Sequence, residues 1–320
     1  MAMDAVTAIL DGHRARGAFL LRCVMAPPWS VRIDDRAEVA VLAQLRGSTT
    51  IVRGREVVRL EPGDVAIVRA SDSYVIADEA TTPPTAVVEP GQLCRALDPA
   101  APPIDFGPGL RTWGNSTDGP DQLLFGVYEL PNQVTGRLLD AVPDVVVVRA
   151  DEWDVPLVAL LGAEFERDAP GQDVVLDRYV DLVLISALRL WFAQHPDAAP
   201  QWWHASHDRI VGGALRLLHT RPDQPWTLAG LAEAVAVSRA TLARRFQLLV
   251  GQPPMAYLTE WRLTMAADLL RDSRESIESI ARRVGYGNAF AFSTAFKRAH
   301  GATPRDYRAA VGRAGRTAAR

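Results

Sequence analysis

The hydrophobic period of this chain changes near Trp153, and that change divides it into two kinds of fold. From Phe19 to Val88, short apolar and β-branched runs alternate with turn formers, at Ser30–Ile33, Val39–Leu45, Thr49–Val52, Val57–Leu60, Val65–Val68 and Tyr74–Ile76. Runs of this length and spacing predict a small antiparallel sandwich or barrel. Glu61-Pro62-Gly63-Asp64, between two of the runs, predicts a tight turn. The Pro- and Gly-rich stretch from Asp98 to Pro120 reads as loop, with strands resuming at Gln122–Tyr128 and Asp144–Arg149. Past Trp153 the apolar residues recur at the helical period. Leu157, Leu160, Leu161 and Phe165 predict one amphipathic helix, and Leu176, Val180, Val183, Leu184, Ala187, Leu188 and Trp191 predict a second. That second stripe faces either its own domain or a partner helix, and it is the candidate homodimer surface.

These patterns predict an α+β multidomain chain: a β-rich domain at 1–150, a helical dimerisation or connector segment at 151–195, a linker at 196–207, an all-α domain at 208–310 and a flexible tail at 311–320. The linker rests on His195-Pro196-Asp197-Ala198-Ala199-Pro200, where proline and small residues separate two helical patterns. Charge divides at the same place. The net charge is −3, yet residues 208–320 carry 18 basic against 9 acidic side chains, net +9, while the remainder is net −12. A local basic surface, not the overall balance, sets attraction to phosphate. Met1 to Leu10 lacks the pattern of a signal peptide, no run approaches a membrane span, and two cysteines suit a reducing cytosol, so a cytoplasmic location is expected.

Within the basic part, Trp226 to Phe246 has the layout of a helix-turn-helix. Thr227 is placed to cap a helix with Leu228, Leu231 and Ala232 on its apolar face, and Ser238 to cap the next. Leu242, Phe246 and Leu249 share the buried face of that second helix, leaving Arg239, Ala240, Ala243 and Arg244 outward, with Thr241 in the first turn. An exposed basic helix start fits the DNA major groove. Arg239 and Arg244 are the candidates for base-edge or phosphate contacts, Ala240 and Ala243 for apolar contact, and Arg245 for the backbone. The alternative for this unit alone is a surface helix with solvated arginines.

A long helical pattern from Pro254 to Leu270 follows, and then the motif recurs. Ser276 caps Ile277–Val284, Gly285-Tyr286-Gly287-Asn288 turns, and Phe292, Phe296 and Ala299 mark the buried face of a second recognition helix. Ile280-Ala281-Arg282-Arg283-Val284-Gly285-Tyr286, then Phe292, Phe296-Lys297-Arg298, Gly301, Pro304 and Tyr307-Arg308, resemble the signature of the AraC/XylS regulators. The resemblance covers roughly a hundred residues, including the first unit. It implies a transcription regulator whose partner is double-stranded DNA, with the two recognition helices in successive major-groove segments. Ala289, Phe290, Ser293 and Thr294 stand where relatives often have Ser, Glu, Gln or Arg. Base readout is therefore expected to lean on the first unit, with shape fit and phosphate contacts from the second through Lys297 and Arg298.

Leu42-Ala43-Gln44-Leu45-Arg46-Gly47, Leu60-Glu61-Pro62-Gly63-Asp64-Val65 and the Trp29 region resemble, more loosely, the cupin-like β-barrel sensor of one subset of this family. A metal cupin needs converging histidines and a carboxylate, and no histidine lies between Phe19 and Val88, so no metal or other cofactor is expected. Trp29, Arg69, Tyr74 and Trp113 are the candidate pocket residues for a small-molecule effector, although aromatics at strand spacing are also ordinary core. Cys23 and Cys94, beside Arg22 and Arg95, are the candidate redox pair. Three readings stay open: a sensor-controlled regulator with RNA polymerase as a further partner, a constitutive DNA-binding dimer, and an enzyme with an appended DNA-binding module. The last has no Ser/His/Asp set, paired carboxylates or phosphate loop to support it, and activation and repression are not distinguished.

Overall fold

The computed structural model describes residues 18–69, 72–98, 104–106, 111–128, 141–167 and 169–310. Residues 18–128 with 142–195 form one compact unit and residues 196–310 another. The expected tail at 311–320 lies outside the described residues.

The first unit is built on two sheets. Its strands are β1 (Ala18–Met25), β2 (Ser30–Ile33), β3 (Val39–Arg46), β4 (Thr49–Arg53), β5 (Glu56–Leu60), β6 (Val65–Arg69), β7 (Tyr74–Ala77), β8 (Ala86–Glu89), β9 (Leu93–Ala96), β10 (Asp105–Phe106), β11 (Thr112–Gly114), β12 (Asp121–Tyr128) and β13 (Val145–Val148). One sheet runs β10-β11-β1-β12-β3-β6-β13 and the other β5-β4-β7-β2-β8-β9. Inward side chains of both sheets, among them Leu21, Met25, Val31, Ile51, Leu42 and Phe125, share one apolar core. The predicted turn before β6 is present, with the Asp64 amide donating to the Glu61 carbonyl at 2.9 Å. The buried Asp64 carboxylate also accepts from the amides of Glu61 and Ala150 and pairs with Arg149 at 2.7 Å, tying the turn to the chain after β13. Two short strands lie in the stretch read as loop. β11 joins β1 in parallel, opposite Cys23, through three residues too few to show a period.

β3 and β6 are buried along nearly their whole length, on both faces, as a sheet covered from both sides requires. The second cover consists of α1 (Leu157–Phe165) and α2 (Gln172–Gln194). This corrects the dimer assignment of α2. Leu176, Val180, Val183, Leu184, Ala187, Leu188 and Trp191 are all buried within one protomer. Val180 and Val183 face Leu20, Val41 and Leu124 of the seven-stranded sheet. Gly126 of β12 permits that approach, because a Cβ there would stand 3.2 Å from the Val180 Cγ1. The stripe was legible, but period alone does not say which apolar surface it meets.

The second unit is all helix: α3 (Gln201–Ala205), α4 (Arg209–Thr220), α5 (Leu228–Ala234), α6 (Arg239–Val250), α7 (Pro254–Asp272), α8 (Ile277–Arg283) and α9 (Ala289–His300), with residues 304–310 also helical. The segment 196–207, read as linker, belongs to this unit. Its Ala205 is buried in the core beside Val211, Leu215 and Phe246, and Trp202 packs against the same cluster. The apolar side chains after Pro200 outweigh the breaker composition before it. Among the described residues, no helix is long and apolar enough to cross a membrane.

Candidate nucleic-acid interface and sensor cavity

The first helix-turn-helix forms where its caps place it. The Thr227 Oγ1 accepts from the Gly230 amide and the Ser238 Oγ from the Thr241 amide, each at 3.1 Å, satisfying amides that have no partner in their own helix. Leu242 and Phe246 of α6 are buried against Leu231 and Ala232 of α5 and Tyr257 and Leu258 of α7. Their burial fixes the rotation of α6. Ser238, Arg239, Ala240 and Arg244 are left exposed, with Thr241 and Ala243 half-buried beside them.

Arg245, expected as a DNA-backbone contact, also has a partner within the protein. Its guanidinium donates to the Asp208 Oδ2 from Nε at 3.0 Å and Nη2 at 2.5 Å, and the Asp208 Oδ1 caps α4 by accepting from the amides of Ile210 and Val211. The pair ties the recognition helix to α4. The Arg245 hydrogen bond, assisted by the two amides, holds the Asp208 carboxyl below its ordinary range. A depressed folded value stabilises the protein above the unfolded pKa of about 3.9, and the gain disappears as pH falls through the folded value. Asp208→Ala is expected to lower stability by about 1–2 kcal/mol at pH 7. The difference from wild type should begin to narrow below about pH 4 and shrink further as pH falls through the lowered folded value, as read from urea unfolding of the full chain at pH 7 and at a series of pH values below 4.

The second unit repeats this construction. Ser276 caps α8 through the Ser279 amide at 3.1 Å, and the Asn288 Oδ1 caps α9 through the Ala291 amide at 2.8 Å. Phe292 and Phe296 are buried against Ile280 and Ala281 of α8 and Leu263, Ala266 and Leu270 of α7. The outward face of α9 carries Phe290, Thr294, Lys297 and Arg298, with Ala289 and Ser293 half-buried. α7 therefore contributes Tyr257 and Leu258 to one core and Leu263 to Leu270 to the other. Arg262, near its middle, donates to the carbonyls of Pro222 and Gln224, each at 2.7 Å, and the bend at Gly285 packs on the same guanidinium. Burial pulls the Arg262 pKa down, but neighbouring Tyr286 and Asp223 oppose the shift. Sequence reading passed over Arg262 because an arginine on a long helix carries no motif.

Residues 231–310 match the family model described as a helix-turn-helix domain, and residues 4–193 match that of a cupin. A putative AraC-like transcription regulator of Streptomyces lividans is 33% identical over 313 residues, 96% of this chain and 98% of that protein. The chain belongs to the AraC-type regulators. A second putative AraC-like regulator, from Streptomyces antibioticus, is 32% identical over the same shares. Among solved structures, the DNA-binding domain of the global transcriptional factor AdpA in complex with a target DNA is 32% identical, over 32% of this chain and 92% of that one, at a TM-score of 0.31. The helix-turn-helix match and the full-length relatives make this AraC-type protein a DNA-binding transcription regulator.

The sensor candidates of the regulator separate into core and cavity. A cavity of about 20 Å³ lies between the sheets, with Cys23, Trp113 and Phe125 on one side and Ile33, Ile76 and Cys94 on the other. Trp113 is the single member of the predicted pocket set that lines it. Trp29 is buried and donates its Nε1–H to the Asp121 Oδ2 at 2.9 Å, Tyr74 is buried in the core, and Arg69 pairs with Asp144 at 3.4 Å. The two cysteines do share the cavity, and they are not joined by a disulfide. The expected help from Arg22 and Arg95 is absent. Successive strand residues point to opposite faces, so Arg22 pairs with Glu166 at 2.7 Å and Arg95 with Glu89 at 2.9 Å. Burial pushes the Cys23 thiol far up, away from thiolate, while Cys94 is exposed.

Proposed function

We propose that this regulator reads duplex DNA unequally through its two units and is controlled from the cavity between its N-terminal sheets. One observation carries the first half. Equivalent outward positions hold Arg239 and Arg244 on α6 but Ala289 and Thr294 on α9. Arginine can form paired hydrogen bonds to guanine, whereas alanine cannot bond a base edge through its side chain. Arg239 and Arg244 are assigned to bases, with Ser238, Ala240, Thr241 and Ala243 lining the contact. Asn288, Ala289, Ser293 and Thr294 supply fit, and Lys297 and Arg298 contact phosphates. The 19 residues of α7 span about 28 Å, near the ~34 Å of one DNA turn, which suits two insertions on one face. Hydroxyl-radical footprinting of the full-length protein should show two protected segments about one turn apart. A single protected segment would overturn the bipartite reading.

For the signal, a small apolar effector entering the cavity is the first reading, and oxidation at Cys94 is the second. The exposed Cys94 meets the oxidant, and the buried Cys23 stays a thiol until the cavity opens. Loss of the oxidant response of DNA binding is expected in both Cys23→Ser and Cys94→Ser, by titration before and after peroxide. An unchanged response in both removes the redox reading and leaves the effector. Homodimerisation, contact with RNA polymerase and a cytoplasmic location beside the chromosome complete the proposal. It assigns no catalytic step to the chain.

A further inference from the structure

The recognition helices can be aligned on their own landmarks. Ser238 and Asn288 are the N-caps, Leu242 and Phe246 are buried as Phe292 and Phe296 are, and Gly251 and Gly301 end the helices in left-handed conformation. In this register Phe290 stands where the first unit has Ala240. Phe290 is 82% exposed, the most exposed large apolar side chain among the described residues. Its own core is already filled by Phe292 and Phe296. It sits in the first turn of α9 and shares an outward stripe with Thr294 and Lys297, four and seven residues on, with Arg298 alongside. That turn contains no acidic residue, and the last turn is basic. A surface of this charge suits a polyanion, and the N-terminal residues of a recognition helix meet base edges in the major groove. The C5-methyl of thymine is the apolar group that a phenyl ring can contact there.

We infer that Phe290 determines specificity by packing on a thymine methyl in the half-site of the second unit. The inference rests on the bipartite reading above, and adds one base preference to a helix otherwise poor in base-reading groups. Full-length protein would first select duplexes from a randomised pool, and the half-site facing α9 would be located by footprinting. Each thymine there is then replaced by deoxyuridine, which removes one methyl and leaves the pairing edge intact. At one or two positions wild-type protein should lose about fourfold in affinity, the equivalent of one buried methylene at ~0.8 kcal/mol. Phe290→Ala should bind the thymine and uridine duplexes equally, while Phe290→Leu keeps part of the preference. Because the side chain is exposed, both variants should melt as wild type does. An unprotected second half-site overturns the bipartite reading and this inference together. A protected half-site without thymine, indifference to uridine, or a methyl preference that survives in Phe290→Ala overturns this inference alone. So does a Phe290→Ala protein that binds every duplex normally but fails to act on purified RNA polymerase, which would reassign the ring to the polymerase.

Discussion

Gly285→Ala is expected to destabilise the DNA-binding unit by about 2–6 kcal/mol and to abolish operator binding at physiological temperature. Gly285 has φ +85°, and a Cβ there would lie 2.6 Å from both the Pro222 carbonyl oxygen and the Arg262 Nη2. Left-handed strain in a residue with a side chain costs about 1–3 kcal/mol. Displacing the guanidinium adds about 1–3 kcal/mol for the part-buried Pro222 carbonyl left without its donor, the Gln224 carbonyl being exposed to water. The effect is local to the contact among α7, the bend after α8 and the loop before α5, which couples the two helix-turn-helix units. Gly287→Ala is the matched control, because nothing lies within 4 Å of its would-be Cβ. Urea unfolding of the full chain should separate the two glycine variants clearly. Equal midpoints would show that the Arg262 contact does not hold the units together.

Arg244→Ala is expected to lose about 1–3 kcal/mol of discrimination between selected and random duplexes, roughly five- to 150-fold, with folding stability nearly unchanged because the side chain is exposed. Lys297→Ala should behave differently. As a phosphate contact it weakens all duplexes alike and lowers the slope of log affinity against log salt by about one. Fluorescence anisotropy at several salt concentrations on both duplexes measures the contrast. If Arg244→Ala costs the same on selected and random DNA, Arg244 is a phosphate contact and base reading lies elsewhere on α6.

The DNA-binding half was readable because its signals are local. Caps at Thr227, Ser238 and Ser276, and apolar spacing such as Leu242 with Phe246, act within one or two turns of chain, whereas Asn288, read as part of a turn, proved to be the cap of α9. The β-rich half was readable as strands but not as a site. Trp29 and Tyr74 have the composition of pocket residues, and whether such a ring lines a cavity or fills a core depends on the strand brought opposite it. Cys23 and Cys94 were legible as a candidate pair, but whether they meet depends on the facing of two sheets, which gives them a shared cavity. Arg245 was legible as an outward arginine, but its pairing with Asp208, 37 residues away, was not.

By itself, the sequence determined that the chain has a β part and a basic helical part, that the second carries paired recognition helices, and which arginines face outward from the first of them. Those properties follow from periodicity, capping and charge, which are nearest-neighbour physics. Tertiary structure decided what each apolar surface meets. It buried the α2 stripe on the seven-stranded sheet, drew residues 196–207 into the helical domain, placed Arg262 against Gly285 and left Phe290 in solvent. Each outcome depends on contacts between residues far apart in the chain, where a hydrophobic pattern states that a face will be covered and not by what.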